Sequence, residues 1–342
     1  MEVKFPIVTN SIRDAAEQVL SHSFAVYRVE EATASNIRAA HRAAVGFFND
    51  AAMERAQRSQ NGEAAVRSKQ ENLLENYRCV KNGNLYGYNV PLPSKELFRT
   101  WYDCNAKESN REQELKHFGG QQPWPSEEFC EASFCIAKDL HRLLMECLGQ
   151  IFSLQKEDKF CAVGRVGEKE SGRASDLSNL KEVGDLPARK RFRSKLGAIP
   201  MHHENDSGGE GDTSTRPFFY PSKCPLDYFF YHNKFPNQIN CSEHVDRGAL
   251  VVVCLTSVPG LEILSPSTSS FCCPEALVHN ENLYRERTEN DCCPNLVCIM
   301  AGDQLARLLS AENAPSACVH RVRNPLRRAR LSISYELRLE NV

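Results

Sequence analysis

The sequence of 342 residues lacks long hydrophobic runs. Its opening residues, MEVKFPIVTNSIRD, contain no apolar stretch of the length found in a signal peptide. No stretch reaches the roughly 18–20 apolar residues of a membrane helix. With 41% hydrophobic and 25% charged residues, the composition is that of a globular protein. We therefore expect no membrane partner and a cytoplasmic location.

The chain also lacks an excess of one charge. Its 42 basic and 44 acidic side chains give a net charge of −2, so nothing attracts the whole protein to nucleic acid. A basic run, residues 189–195, is typical of a nuclear-localisation signal or a nucleic-acid-binding patch. The acidic stretch ENDSGGEGD follows it and favours a solvated charge cluster instead. A nuclear location stays an alternative, and nucleic acid is the least favoured partner.

Cysteine is abundant, but its spacing lacks the pattern of a structural zinc site. Fifteen cysteines without a secretion signal indicate thiols in a reducing compartment. The adjacent pairs Cys272–Cys273 and Cys292–Cys293 do not have C-x-x-C spacing. The glycines likewise have no phosphate-loop spacing. The sequence therefore predicts neither a zinc finger nor a nucleotide-binding loop.

Composition divides the chain into three parts. Residues 1–155 are predicted to be mainly helical, because apolar side chains recur at three and four positions in SIRDAAEQVL and in SEEFCEASFCIAKDLHRLLMECLGQIFSL. Residues 156–216 are rich in Gly, Ser, Glu, Lys and Asp, which predicts a disordered insertion. Residues 217–342 carry short β-type runs, interrupted by an irregular insertion at 265–295.

The β-type runs are separated by turns rather than by helices. Among them are LDYFFYHNKF, ALVVVCLTSV and ARLSISYELRL. Such runs predict an antiparallel sandwich or barrel. The fold class we expect is α+β with a mainly β core: a double-stranded β-helix, or jelly-roll barrel, flanked by N-terminal helices.

Polar side chains with metal-ligating chemistry lie beside two of these runs. His244 and Asp246 are two positions apart, so in a strand they face the same side. His320 follows in a later segment, and two histidines with one carboxylate are the ligand set of non-heme Fe(II) oxygenases. Ten residues on, Arg330 and Ser332 again share a strand face and suit a carboxylate. Each motif alone is more commonly a set of polar residues at a solvated turn or strand face, or a histidine of the core. Their order makes the combination specific.

At these residues the chain resembles the isopenicillin N synthase-like branch of the 2-oxoglutarate- and Fe(II)-dependent dioxygenases. HVDRGALVVV, PGLEIL, MAGDQLARLLSAENAPSACVHRV and NPLRRARLSISYEL are similar to consecutive motifs of that family. FPIVTN, FAVYRVE and PWPSEEFCEA resemble its N-terminal part. The resemblance covers most of the chain outside the two insertions.

The resemblance implies a role for each matched residue. His244, Asp246 and His320 would ligate Fe(II), and Arg330 and Ser332 would hold the distal carboxylate of 2-oxoglutarate. With dioxygen as the other co-substrate, the enzyme would release succinate and CO2 while hydroxylating or otherwise oxidising a small organic substrate. The resemblance implies no catalytic residue beyond the metal ligands. Sequence names no substrate-binding residue, no substrate and no oligomeric state.

Two departures from the family pattern keep other functions open. Phe235 stands where the family often has a tyrosine that touches the co-substrate, and the 265–295 insertion replaces a tryptophan-containing segment. These changes are compatible with a catalytically inactive binding protein. Some relatives keep R-x-S without using 2-oxoglutarate, so an Fe(II) oxidase is a further alternative. A nucleic-acid-associated protein, relying on the basic run, is the third.

Overall fold

The structure is a computed structural model of the chain. It describes residues 7–59, 76–81, 84–92, 94–104, 118, 122–166, 223–233, 235–266, 268–279, 295–309, 314–324 and 328–340. The basic run 189–195 and most of the 156–216 insertion lie outside these residues. None of the described helices is long and apolar enough to cross a membrane.

Three long helices come from the N-terminal part, as the periodicity predicts. They are α1 (Ile12–His22), α2 (Glu31–Ser59) and α3 (Glu127–Val166). Ser11 caps α1 by accepting a hydrogen bond from the backbone N–H of Asp14, and Ser126 accepts one from Phe129 at the start of α3. Helix α3 continues into the range assigned to the disordered insertion, so residues 156–166 are helical.

Strands are spread over a larger part of the chain than composition indicates. Those of the N-terminal part are β1 (Phe24–Arg28), β2 (Arg78–Lys81), β3 (Asn84–Leu92) and β4 (Lys95–Asp103). Those of the C-terminal part are β5 (Lys223–Tyr231), β6 (Gln238–His244), β7 (Leu250–Cys254), β8 (Leu261–Leu264), β9 (Phe271–Cys272), β10 (Leu296–Ala301), β11 (His320–Asn324) and β12 (Arg330–Leu337).

The prediction of a mainly helical region over 1–155 is therefore wrong for residues 78–103. Strands β2, β3 and β4 pair with one another, and β4 pairs with β5. Aromatic residues of β3 and β4, Tyr88 and Phe98, contact Phe47 of α2 in edge-to-face geometry. Strands β3 and β4 each bury three consecutive residues, a pattern that periodicity alone cannot assign to a strand or a helix.

The strands form two antiparallel sheets. The larger has the order β1-β10-β7-β12-β5-β4-β3-β2, and the smaller has the order β6-β11-β8-β9. From β5 onward, consecutive strands pass repeatedly between the two sheets. The fold is thus a mixed helix and sheet structure with antiparallel sheets, the coarse class that the sequence predicts.

Two apolar layers hold the larger sheet in place. On one face, Leu250 and Val252 of β7 join a core that contains the buried sides of α1, α2 and α3. On the other, Val251 and Val253 pack with Leu261 and residues of β1 and β10. Because β7 is buried on both faces, its sequence is apolar without alternation. Next to this second layer lies the cavity that holds the candidate site.

The second insertion, 265–295, is only partly irregular. It contains β9 and a short helix, α4 (Pro274–His279), which brings Glu275 into the interior. Residues 280–294 lie outside the described part of the chain. A last short helix, α5 (Asp303–Leu308), follows β10 directly. Both short helices contact the site described below.

Candidate metal centre and co-substrate pocket

The structure brings His244, Asp246 and His320 together at one end of the cavity. One potential ligand atom from each lies within 4.8 Å of the others. Nε2 of His244 is 3.6 Å from one carboxylate oxygen of Asp246, and Nε2 of His320 is 3.4 Å from the other. The two histidines are cross-strand partners on β6 and β11, which explains how residues far apart in sequence become neighbours.

Backbone carbonyls orient both imidazoles. Nδ1 of His244 lies 2.8 Å from the carbonyl oxygen of Ser242, and Nδ1 of His320 lies 3.1 Å from that of Cys318. A carbonyl can only accept, so each Nδ1 carries a proton and donates it. Nε2 of each ring is then the nitrogen that faces Asp246, which is the usual arrangement of metal-ligating histidines.

The environments of the two histidines differ. A hydrogen bond with Cys241 raises the pKa of His244 to about 9. Burial lowers the pKa of His320, although the negative charge of Asp246 opposes this effect. His320 is nearly enclosed, whereas His244 and Asp246 are partly open to solvent. The centre is therefore reachable from one side.

A close approach between two backbone segments fixes Asp246. Its carbonyl oxygen accepts the N–H of Asp303 at 2.9 Å, at the start of α5. Gly302 lies so near the chain after Asp246 that an added Cβ would be 2.0 Å from the carbonyl oxygen of Gly248. Only glycine permits this contact at position 302. The turn at Gly302 and Asp303 thus holds the loop that carries the carboxylate.

Side chains of three neighbouring strands form the floor of the cavity, in rows set by strand register. One row places Lys95, Tyr231 and Arg330 side by side across β4, β5 and β12. The next row contains Leu97, Phe229 and Ser332. Arg330 and Ser332 therefore line the cavity that contains His244, Asp246 and His320, two positions apart on one strand face.

Arg330 does not face the cavity as a free cation. Its Nη2 donates to Oε1 of Glu275 at 2.9 Å and its Nε donates to the carbonyl oxygen of Val258 at 3.1 Å. Arg330 is 1% exposed and Glu275 is fully buried. Nη1 of Arg330 is buried and has no hydrogen-bond partner among the described residues. Sequence reasoning missed Glu275 because the 265–295 segment shows no regular pattern.

Two further cations line the cavity, and only one of them is paired with a carboxylate of the described residues. Arg99 binds Asp227 through two hydrogen bonds of 2.6 and 2.5 Å. Nζ of Lys95 lies 4.2 Å from the ring centre of Phe229 and 3.9 Å from Sγ of Cys241. In the part of the chain that the structure describes, no carboxylate lies at salt-bridge distance from Lys95. Sequence patterns do not predict that Lys95 lines the cavity, because its position depends on the pairing of β4 with β5.

Phe235 does not line the cavity and is 66% exposed. The replacement of the family's tyrosine by Phe235 therefore does not put an apolar ring into the pocket. Tyr231, four residues earlier, lines the cavity beside Arg330. Burial raises the pKa of Tyr231, which keeps its phenol protonated and able to donate.

Comparison of the whole fold with solved structures gives a consistent group of neighbours. A 2OG-Fe(II) oxygenase family protein from Caulobacter crescentus aligns with a TM-score of 0.53 at 16% identity, over 99% of this chain and 87% of that protein. Dioxygenase for auxin oxidation 1 of Arabidopsis thaliana, in a binary complex with 2-oxoglutarate, aligns with a TM-score of 0.52 at 12% identity, over 98% and 92%. The chain has the fold of the 2-oxoglutarate- and Fe(II)-dependent oxygenases.

A third neighbour of this fold is a fungal protein. It comes from Neurospora crassa, and its full-length form has been solved in complex with alpha-KG and 5-formyluracil. It aligns with a TM-score of 0.52 at 16% identity, over 96% of this chain and 78% of that protein. Neither a protein-family profile nor a curated protein sequence matches this chain.

Proposed function

We propose that the protein is an Fe(II)- and 2-oxoglutarate-dependent oxygenase of a small organic substrate. Its catalytic core would be residues 217–342, folded as a double-stranded β-helix of the isopenicillin N synthase-like type. The alternation of β5–β12 between two sheets supports this assignment. The observation that carries the function is the convergence of two Nε2 atoms and one carboxylate in a cavity that Arg330 and Ser332 also line.

The three converging residues suit a divalent iron ion. With Nδ1 of each histidine bonded to a carbonyl, both Nε2 atoms face a carboxylate, and a cation that replaces a proton between these groups can bind all three of them. Two imidazoles and one carboxylate on one side leave the remaining positions open. His244, Asp246 and His320 would therefore hold Fe(II).

The far part of the cavity suits the distal carboxylate of 2-oxoglutarate. Nη1 of Arg330 is buried and has no partner within the described residues, so an acceptor is needed there. Ser332 lies on the same strand face and supplies a hydroxyl. We propose that both side chains bind this carboxylate and that Glu275 fixes the orientation of the guanidinium.

The bound cofactor and co-substrates would supply oxidative decarboxylation of 2-oxoglutarate to succinate and CO2, coupled to oxidation of a substrate C–H bond. The chain's own residues orient the participants. The Ser242 and Cys318 carbonyls fix the imidazoles, and the Arg99–Asp227 pair occupies the wall of the cavity. The cavity of about 280 Å³ would hold 2-oxoglutarate as well as the reacting group of the substrate, so we propose a small-molecule substrate or a small part of a larger one.

Two alternatives make distinct predictions. A catalytically inactive scaffold would bind neither iron nor 2-oxoglutarate, and the retained Nε2–carboxylate geometry counts against it. An Fe(II) oxidase would bind iron but not the co-substrate, and the neutralisation of Arg330 by Glu275 is the feature that favours this alternative. A measurement of both ligands separates the three functions.

An anaerobic titration of the apoprotein with Fe(II) and 2-oxoglutarate tests the proposal. We expect a saturable visible charge-transfer band of the iron chelate, and we expect His320→Ala to lose it. His22→Ala, at the end of α1, serves as a matched histidine control and should keep the band. Iron binding without the band would favour the oxidase, and the absence of iron binding would favour the inactive scaffold.

Lys95 is expected to contribute to co-substrate affinity. Since Glu275 balances the charge of Arg330, Lys95 is the cavity cation without a carboxylate partner among the described residues. Lys95→Met should weaken 2-oxoglutarate binding by roughly 10–100-fold, because a hydrogen bond to a charged group is worth about 1.5–3 kcal/mol. The chelate band gives the dissociation constant directly.

Two variants control this measurement. Lys95→Arg should keep most of the affinity, and Lys138→Met, on the exposed side of α3, should have no effect. If Lys95→Met binds 2-oxoglutarate as tightly as the unmodified protein, Lys95 does not recognise the co-substrate.

A further inference from the structure

A second cluster of metal-ligating side chains lies away from the proposed iron centre. One ligand atom from each of Cys104, His141 and Cys224 lies within 4.8 Å of the others. Cys104 directly follows β4, Cys224 is the second residue of β5, and His141 belongs to α3. From this convergence we propose that Cys104, His141 and Cys224 form a second metal site, specific for Zn²⁺, that joins β4, β5 and α3.

The site is separate from the cavity. Cys224 and Tyr335 belong to the apolar core between the larger sheet and the helices. Ser334 and Glu336, the neighbours of Tyr335 on β12, line the cavity on the opposite face. Successive side chains of a strand point to opposite faces, so the sheet itself separates the two sites. A metal at one site cannot share ligands with the other.

The donor set selects a soft or borderline cation. Two thiolates and one imidazole are the Cys2His combination found at zinc sites, with a fourth tetrahedral position left for water or another ligand. Thiolate ligands disfavour Mg²⁺ and Ca²⁺, which prefer oxygen. The proposed iron centre has no sulfur among its three ligands. We therefore expect the cluster with two thiolates to prefer Zn²⁺ and the proposed iron centre, which has no sulfur ligand, to prefer Fe(II).

Hydrogen bonds orient Cys224 and His141 as they orient metal ligands in other proteins. Sγ of Cys224 accepts the backbone N–H of Arg338 at 3.3 Å, and Nδ1 of His141 lies 2.9 Å from the hydroxyl oxygen of Tyr335. Such bonds orient ligands and stabilise negative charge on sulfur.

The three side chains of the cluster differ in solvent exposure. Cys224 is fully buried, whereas Cys104 and His141 are half-buried. A metal ion can thus enter from the side of Cys104 and His141 and reach the buried sulfur. The imidazole of His141 distinguishes this site from a pair of cysteines that only form a disulfide, because a disulfide bond involves two sulfur atoms and no third donor.

Cobalt substitution tests the proposal. The full-length His320→Ala protein, which lacks an intact iron centre, is reduced, freed of metal and titrated with Co²⁺. We expect one equivalent to bind with a thiolate-to-cobalt band in the near-ultraviolet, and Zn²⁺ to displace it. The melting temperature should rise with either metal, because an ion that binds only the folded state stabilises it.

Variants in the same background decide between this site and adventitious binding. Cys104→Ser should remove most of the band, and His141→Ala should weaken Co²⁺ binding by at least about 10–100-fold, although it removes no sulfur. Cys79→Ser, a half-buried cysteine of β2 outside the cluster, should leave both unchanged.

Several outcomes would overturn the inference. One is a band that is absent from the reduced protein, and another is a band that His141→Ala leaves unchanged. A third is the purified protein carrying a Cys104–Cys224 disulfide, identified by mass spectrometry, together with no cobalt binding after reduction. Because the readouts are cobalt absorption and melting temperature, failure here does not bear on the oxygenase function.

Discussion

Replacing Asp246 with alanine is expected to abolish turnover of 2-oxoglutarate. Asp246 faces Nε2 of both His244 and His320, at 3.6 and 3.4 Å, so its removal takes away the one anionic ligand of the proposed centre. Loss of a catalytic metal costs several kcal/mol of transition-state stabilisation, and we expect turnover to fall by at least about three orders of magnitude.

The measurement does not require the natural substrate. Release of CO2 from labelled 2-oxoglutarate reports slow uncoupled turnover, and iron content after gel filtration reports the metal. Fe(II) binding to the folded unmodified protein is expected to raise its melting temperature, and this rise should be absent in Asp246→Ala. Asp303→Ala is a useful control, because the carbonyl of Asp246 is held by the backbone N–H of residue 303 and not by its side chain. Normal iron content in Asp246→Ala would remove this residue from the ligand set.

Replacing Glu275 with alanine is expected to cause the largest loss of stability. The variant would leave the guanidinium of Arg330 buried without its carboxylate. Removing one partner of a buried ion pair typically costs about 3–5 kcal/mol, because the remaining charge stays desolvated. Chemical denaturation monitored by circular dichroism would give the change in the free energy of unfolding.

Matched variants separate the charge of Glu275 from its size. Glu275→Gln keeps the shape and one oxygen acceptor for Nη2, so it should destabilise less than alanine does. It also leaves the charge of Arg330 unbalanced, and we expect 2-oxoglutarate to bind more tightly to this variant. Glu128→Ala, on the exposed surface of α3, should change the unfolding free energy by no more than about 0.5 kcal/mol.

The opposite result would change the account of the pocket. If Glu275→Ala were as stable as the unmodified protein, groups other than Glu275 would be compensating the buried charge of Arg330. If Glu275→Gln bound 2-oxoglutarate more weakly, the negative charge of Glu275 would be needed to orient the guanidinium, and the amide oxygen of glutamine would not suffice for this. Either finding would leave the assignment of the metal ligands unaffected.

Local patterns predict several elements because neighbours in the sequence decide them. The Ser11 cap and the three-and-four spacing after it specify α1, and the apolar run from Leu250 specifies a buried strand. The order of His244, Asp246, His320, Arg330 and Ser332 also indicates a chemistry. Such a prediction needs only residue types, their spacing and the two-residue period of a strand.

Pairing between distant segments decided the rest. Strand β4 joins the larger sheet through β5, from which long stretches of chain separate it, and this places Lys95 in the cavity. Helix α4 carries Glu275 to Arg330 from a segment without periodicity, and the sheet brings Cys104, His141 and Cys224 together. No local pattern encodes these contacts, because each depends on which surfaces the whole fold buries together. The sequence alone determined the types of the candidate site residues and their order along the chain. The tertiary structure decided that Glu275 pairs with Arg330 and that Cys104, His141 and Cys224 lie together.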